Sequence, residues 1–109
     1  MTKEEIIEQL KDLAYEAAED DFDIMTAEPE WDEDEDTRKG GYYRYFNQKG
    51  ETFVDSTIFD LDGVQMDFCM NVYYTAHLSW DGELKGFSGD CEVFYYDPDN
   101  NEYKMSLSF

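Results

Sequence analysis

The side chains able to do chemistry are two cysteines, one histidine and 28 carboxylates. Cys69 and Cys91 lie on alternating-pattern segments in opposite phase, Cys69 on the polar side and Cys91 on the apolar side, so they are expected as two free thiols. A nucleophilic thiolate needs an electropositive setting, and this chain offers the reverse. His77 stands alone, too few for a zinc site of the usual His/Cys kind, and the sequence marks no nucleophile beside it. Asp97-x-Asp99-x-Asn101 matches the first three ligand positions of a calcium loop. Glu102 and Ser108 then stand where such a loop needs glycine and a bidentate glutamate. The segment reads as a turn, with a calcium-binding or adaptor module as a secondary alternative. With carboxylates this abundant no pair stands out as acid and base, and the expectation is a non-enzymatic protein without a cofactor or metal.

The distribution of the carboxylates is more informative. The chain has 109 residues and a formal charge of −20, from 28 acidic against 8 basic side chains. Residues 1–36 hold 16 of the acids and only Lys3 and Lys11 as bases, a net of −14 in a third of the chain. Such a block marks an interaction surface or a solvated tail. It argues against direct nucleic-acid binding, which requires a basic surface. No apolar run reaches the length of a membrane span and no basic-then-apolar leader opens the chain, so the expected address is cytoplasmic.

These side chains must be positioned by a small number of elements. Thr2 and Glu5 form a capping-box pattern, and Ile6, Ile7, Leu10, Leu13, Ala14 and Ala17 recur at helical spacing, predicting a helix over 1–19 that ends by Glu19–Asp21. Glu4, Glu8, Asp12, Glu16 and Glu19 fall on its other side. Residues 20–41 carry few apolar anchors and read as an acidic loop. From 42 to 109 the period changes to two. Tyr42–Phe46 is a short strand, Gln48–Gly50 a turn, and Glu51–Phe59 a second strand. Val64 to Trp80 alternates for 17 residues, about 56 Å if straight, and is expected to bulge or break near Asn71–Thr75 to fit a domain with a radius of gyration of about 13 Å. Asp81-Gly82 predicts a two-residue hairpin, and with it a register that sets Phe68 against Tyr95, Met70 against Val93, Val72 against Cys91 and Tyr74 against Gly89. The last strand runs Glu102–Phe109. The result is one α+β domain, an N-terminal helix packed on a four- to five-stranded antiparallel meander. The short first strand leaves an edge open to a second copy, hence a homodimer as one expectation. The opposite sheet face gathers Tyr73, Phe94 and Tyr96 among Asp67, Asp90 and Glu92, a mixture suited to a basic partner unless a second layer covers it.

The segment Glu28-Pro29-Glu30-Trp31-Asp32-Glu33-Asp34-Glu35-Asp36 is the most distinctive in the chain. An extended run advances about 3.3 Å per residue, close to the 3.4 Å per charge of one DNA strand. A solvated tract rarely needs Trp31, and six lysines with 19 aromatic residues do not suit adaptation to high salt. Small size, extreme acidity and a helix-plus-sheet core together resemble the phage-encoded DNA-mimic inhibitors, a likeness of charge and size carried by no motif. The resemblance implies an anti-CRISPR or antirestriction function. A non-enzymatic inhibitor would occupy the basic DNA- or RNA-binding cleft of a host CRISPR effector, restriction or repair enzyme in the host cytosol. The expected contact residues are Asp20, Asp21, Asp23, Glu28, Glu30, Trp31, Asp32, Glu33, Asp34, Glu35 and Asp36, with Phe22 as a further apolar anchor. An immunity protein or antitoxin that neutralises a basic toxin would share these electrostatics.

Overall fold

The computed structural model describes residues 1–33 and 40–109, Glu33 by its backbone alone. Asp34, Glu35 and Asp36 lie outside the described residues. The helix α1 spans Lys3–Asp21. It starts where the sequence places it: the Thr2 hydroxyl accepts from the Glu5 amide at 3.2 Å, and the Glu5 carboxylate accepts from the Thr2 amide at 3.2 Å. This double acceptance holds the Glu5 carboxyl below its usual range. The fully buried row is Ile6, Leu10, Ala14 and Ala18, at strict i, i+4 spacing. Ile7, Leu13 and Ala17 sit on its shoulders, half-buried.

Four strands form the main sheet in the order β3-β4-β5-β6, all antiparallel: Gln48–Leu61, Val64–Leu78, Leu84–Tyr96 and Glu102–Ser108. The α+β class follows directly, with α1 laid on one face of a meander. The inner face of β4 is buried at every second residue from Met66 to Leu78, and it meets Phe87, Cys91, Val93 and Tyr95 of β5. The predicted β4–β5 register holds at all four pairs. The turn that sets it differs. The Ser79 carbonyl accepts from the Gly82 amide and the Ser79 amide donates to the Glu83 carbonyl, giving a loop of three residues rather than two. Gly82 closes it at φ +91°, a region that disfavours a side chain. A register shift between His77 and Leu78 then absorbs the extra residue.

Three other expectations are corrected. Gln48–Gly50 is not a turn but the start of β3, paired with Ala76–Tyr74. Gly50 is required there because the Tyr74 ring lies over it, where a Cβ would collide. β4 neither breaks nor bulges at Asn71–Thr75, and its interruption against β3 falls opposite Asp55 and Ser56 instead. The chain accommodates the unbroken strand by being long: its extents are 64 × 25 × 19 Å and its radius of gyration is 18.6 Å. Compactness was the wrong constraint, because one helix of about 28 Å cannot curl a sheet whose central strand runs about 50 Å. The acidic 20–41 segment is also not all loop. A 3-10 turn covers Ile24–Thr26, and the strand β1, Glu30–Glu33, pairs with β2, Gly41–Arg44, in a separate two-stranded sheet. The short strand expected at Tyr42–Phe46 therefore belongs to this hairpin and forms no edge of the main sheet.

α1 runs from the β3–β4 turn, where the Asp62 amide donates to the Met1 carbonyl, towards the β4–β5 turn, where Tyr15 and Phe22 meet Phe87 edge-on. Leu10 is 1% exposed at the middle of this seam. Leu10→Ala is expected to destabilise the fold by about 2–5 kcal/mol, read as a lower urea midpoint with an unchanged slope.

Candidate functional site

The polypeptide concentrates acids and exposed aromatics where α1 ends. Asp20 is exposed, and it completes the line Glu4, Glu8, Asp12, Glu16, Asp20 at i, i+4 spacing, about 6 Å per step. Glu19, expected in this row, stands three residues after Glu16, so the i, i+4 line passes through Asp20 within a helix that ends at Asp21. All five side chains face solvent. Among the described residues the ion pairs are Arg44–Asp32 at 3.6 Å and Lys85–Glu83 at 3.0 Å, and neither involves this row.

The remaining expected contact residues divide by what already holds them. The Asp21 carboxylate accepts from the Tyr74 hydroxyl at 2.5 Å, tying the last turn of α1 to the sheet. Asp23 caps the 3-10 turn: its carboxylate accepts from the Met25 amide and its carbonyl from the Thr26 hydroxyl. Glu28 and Glu30 are exposed. Glu30 faces Arg44 across the hairpin, and Asp32 pairs with the same guanidinium, so the charge of Asp32 is partly spent inside the protein. Arg44 also lies 4.7 Å from the centre of the Phe46 ring. Trp31 meets Tyr43 edge-on at 5.2 Å, and the two rings remain 52% and 67% exposed. Glu33 pairs through its backbone with Gly41. Phe22, expected as a contact anchor, is half-buried against Phe87 and serves the core instead.

Tyr42, Tyr43 and Trp80 were not expected at this site. Trp80 is 64% exposed at the tip of the β4–β5 turn, and its carbonyl accepts from the Tyr45 amide, which fastens the hairpin to that end of the sheet. The alternating pattern had assigned Trp80 to the buried phase, but the strand ends at Leu78, so the ring turns outward. The ladder of Trp31 on Tyr43 was hidden because seven acids between 28 and 36 obscure any period.

The other chemically capable residues are placed as follows. Cys69 is half-exposed and Cys91 buried, both free. Burial and neighbouring carboxylates push both thiols up, Cys91 to about 11, which keeps them protonated at neutral pH. His77 does have a hydroxyl beside it: its Nε2 lies 2.6 Å from Ser88 Oγ, a cross-strand neighbour invisible in the linear sequence. Asp97 organises its own turn, its carboxylate accepting from the Asp99 and Asn101 amides, the Asn101 side-chain amide and the Tyr103 hydroxyl. Donors thus converge on the oxygens that a calcium ion would need. No group of three or more His, Cys, Asp or Glu suited to a metal occurs among the described residues. No described helix is long and apolar enough to cross a membrane.

The chain matches no protein-family model, no curated protein and no solved structure.

The Tyr74–Asp21 bond gives a test of how the acidic end is held. Burial, followed by the bond to Asp21, pushes the Tyr74 hydroxyl up to about 12, against about 10 for a free tyrosine. The folded state holds this proton more tightly than the unfolded state. The stabilisation is fully present below pH about 10 and is lost as pH rises towards 12. Tyr74→Phe should therefore lower the melting temperature at pH 8. Between pH 10 and 12 its stability should fall less steeply than that of the parent protein, and identical slopes would exclude this coupling.

Proposed function

We propose that this protein is a non-enzymatic inhibitor that presents a nucleic-acid-like row of negative charge to the basic cleft of a nucleic-acid-binding protein. The observation that carries the reading is the line Glu4, Glu8, Asp12, Glu16 and Asp20: five exposed carboxylates on one rigid helix, none of them in an ion pair among the described residues. Like charges in such a row repel one another at i, i+4 spacing and weaken the helix. An opposing cationic surface would relieve that repulsion on binding.

The shape supports the same reading. The body is elongated, 64 Å along its longest axis, in a chain with a net charge of −20, and the helix row advances about 6 Å per carboxylate, roughly twice the 3.4 Å per charge along one DNA strand. The exposed Trp31, Tyr43 and Trp80 add what phosphates lack. Rings at the end of the row supply the aromatic anchors that dominate protein–protein contact energies. The carboxylates would then set on-rate and salt dependence, and the rings the residence time.

The test is retention of proteins from host lysate on the immobilised chain at low salt, followed by elution with duplex DNA. DNA should release a basic nucleic-acid-binding protein. A Glu8→Gln/Asp12→Gln/Glu16→Gln variant should keep its fold, bind that protein about tenfold or more weakly and show a shallower salt dependence. Retention of a basic enzyme that DNA cannot displace would instead identify an immunity protein covering an active site. Trp31→Ala should raise the dissociation rate with little effect on association.

A further inference from the structure

The face of the main sheet opposite α1 has no layer over it among the described residues. Its residues can be followed row by row across the four strands. Ile58, Asp67, Tyr96 and Glu102 form one row; Cys69, Phe94 and Lys104 the next, beside the interruption at Asp55 and Ser56; Phe53, Asn71, Glu92 and Ser106 the third; Glu51, Tyr73, Asp90 and Ser108 the fourth. Phe53 and Ile58 are 64% and 65% exposed. Two large apolar side chains at that exposure on one face of β3, on either side of its interruption and with Phe94 and Tyr96 across the face, mark an interaction surface.

Charge decides the occupant. Five carboxylates stand in these rows and Asp55 at the interruption, against Lys104 there and Lys49 beside them. Their field is felt by the groups between them. Glu92 pushes the Tyr73 hydroxyl up, Glu102 does the same to Tyr96, and Asp67, Asp55 and Glu102 add to the effect of burial on Cys69. A second copy of this chain would bring the same negative face and a net −20 against it. A cation is accommodated already, since Lys104 Nζ lies 5.6 Å from the centre of the Phe94 ring. A shallow groove of about 370 Å³ opens beside it, bordered by Phe53, Cys69, Tyr96 and Glu102.

We propose that this outer sheet face docks a basic amphipathic segment of a partner protein, with apolar side chains seated on Phe53, Ile58 and Tyr96 and Arg or Lys side chains reaching the intervening carboxylates and ring faces. The surface lies across the sheet from α1, so it stands independently of the function proposed for the helix row and hairpin.

The probe is a synthetic amphipathic helical peptide of roughly 18 residues, leucine on one side and lysine or arginine on the other, titrated into the isotope-labelled full chain at about 0.15 M salt. A control peptide keeps the cations and replaces leucine by serine. Amide shifts should map to the rows containing Phe53, Ile58, Cys69, Phe94 and Tyr96, with affinity about tenfold above that of the control. Phe53→Ser/Ile58→Thr, both exposed, should remove that advantage while the melting curve is kept. Asp67→Asn/Glu92→Gln/Glu102→Gln should weaken both peptides and flatten their salt dependence. Equal affinity for the two peptides, or shifts confined to α1 and the β1–β2 hairpin, would overturn the proposal. Concentration-dependent shifts of the same rows without peptide would overturn it in favour of a second copy.

Discussion

Everything in this molecule depends on one apolar seam, the burial of Ile6, Leu10, Ala14 and Ala18 against the inner face of the main sheet, where α1 lies nearest β3 and the buried side chains come from β4 and β5. A chain with a net charge of −20 repels itself when compact, so apolar burial must exceed both that repulsion and the entropy of ordering. The seam is fitted to the task. Ala14 and Ala18 let the helix approach the sheet closely near its C-terminal end, where the large rings of Tyr74 and Phe87 take up the volume. Phe68 stacks on Tyr95 at 5.0 Å and meets Phe59 edge-on at 5.4 Å, filling the far end. Among the described residues none of the buried ones is charged. The seam thereby drives the carboxylates to the surface, and the helix that closes the core becomes the scaffold for the most regular row of acids.

Legibility followed the periods. The capping box, the helical stripe and the long alternating strand each repeat one pattern over many residues, and each leads to the observed element. The β4–β5 register could be read even though the turn was misread, because the Asp81-Gly82 position fixed the alignment and the apolar phases of Met66–Leu78 and Phe87–Tyr95 agree in it. A bulge can absorb a turn error of one residue without moving that phase. Signals failed where one residue type saturates a segment. In Glu28–Asp36 the carboxylates hide the alternation that puts Trp31 on one side of β1 and Glu30 and Asp32 on the other. Cross-strand facts were also beyond reach. Arg44 on Asp32, Ser88 beside His77 and the Tyr74 hydroxyl on Asp21 join residues 11 to 53 apart in sequence.

The candidate site was read as a class of surface more than as a set of residues. Of the acids and the aromatic anchor expected there, Asp20, Glu28, Glu30 and Trp31 are exposed. Asp21, Asp23 and Asp32 are recruited by the fold, as a hydroxyl acceptor, a cap and a salt-bridge partner. A carboxylate with an internal donor is a poorer ligand for an external cation, because binding must first break or share that contact. Composition cannot show this distinction, and it shifts the weight of the proposed surface from the 20–36 segment towards the helix row.

Length has its own consequence for recognition. A spherical domain with this charge would present a diffuse field that salt screens beyond about 8–10 Å. Here the body extends to 64 Å, and on α1 successive carboxylates of the row, about 6 Å apart, lie within a screening length of one another while the ends of the row, about 24 Å apart, do not. A cationic partner of the proposed kind would meet a line of local contacts, each weak, whose sum depends on matching the line in direction as well as in sign. α1 supplies that direction for the row, and the unbroken β4 against which it packs supplies the long axis of the body.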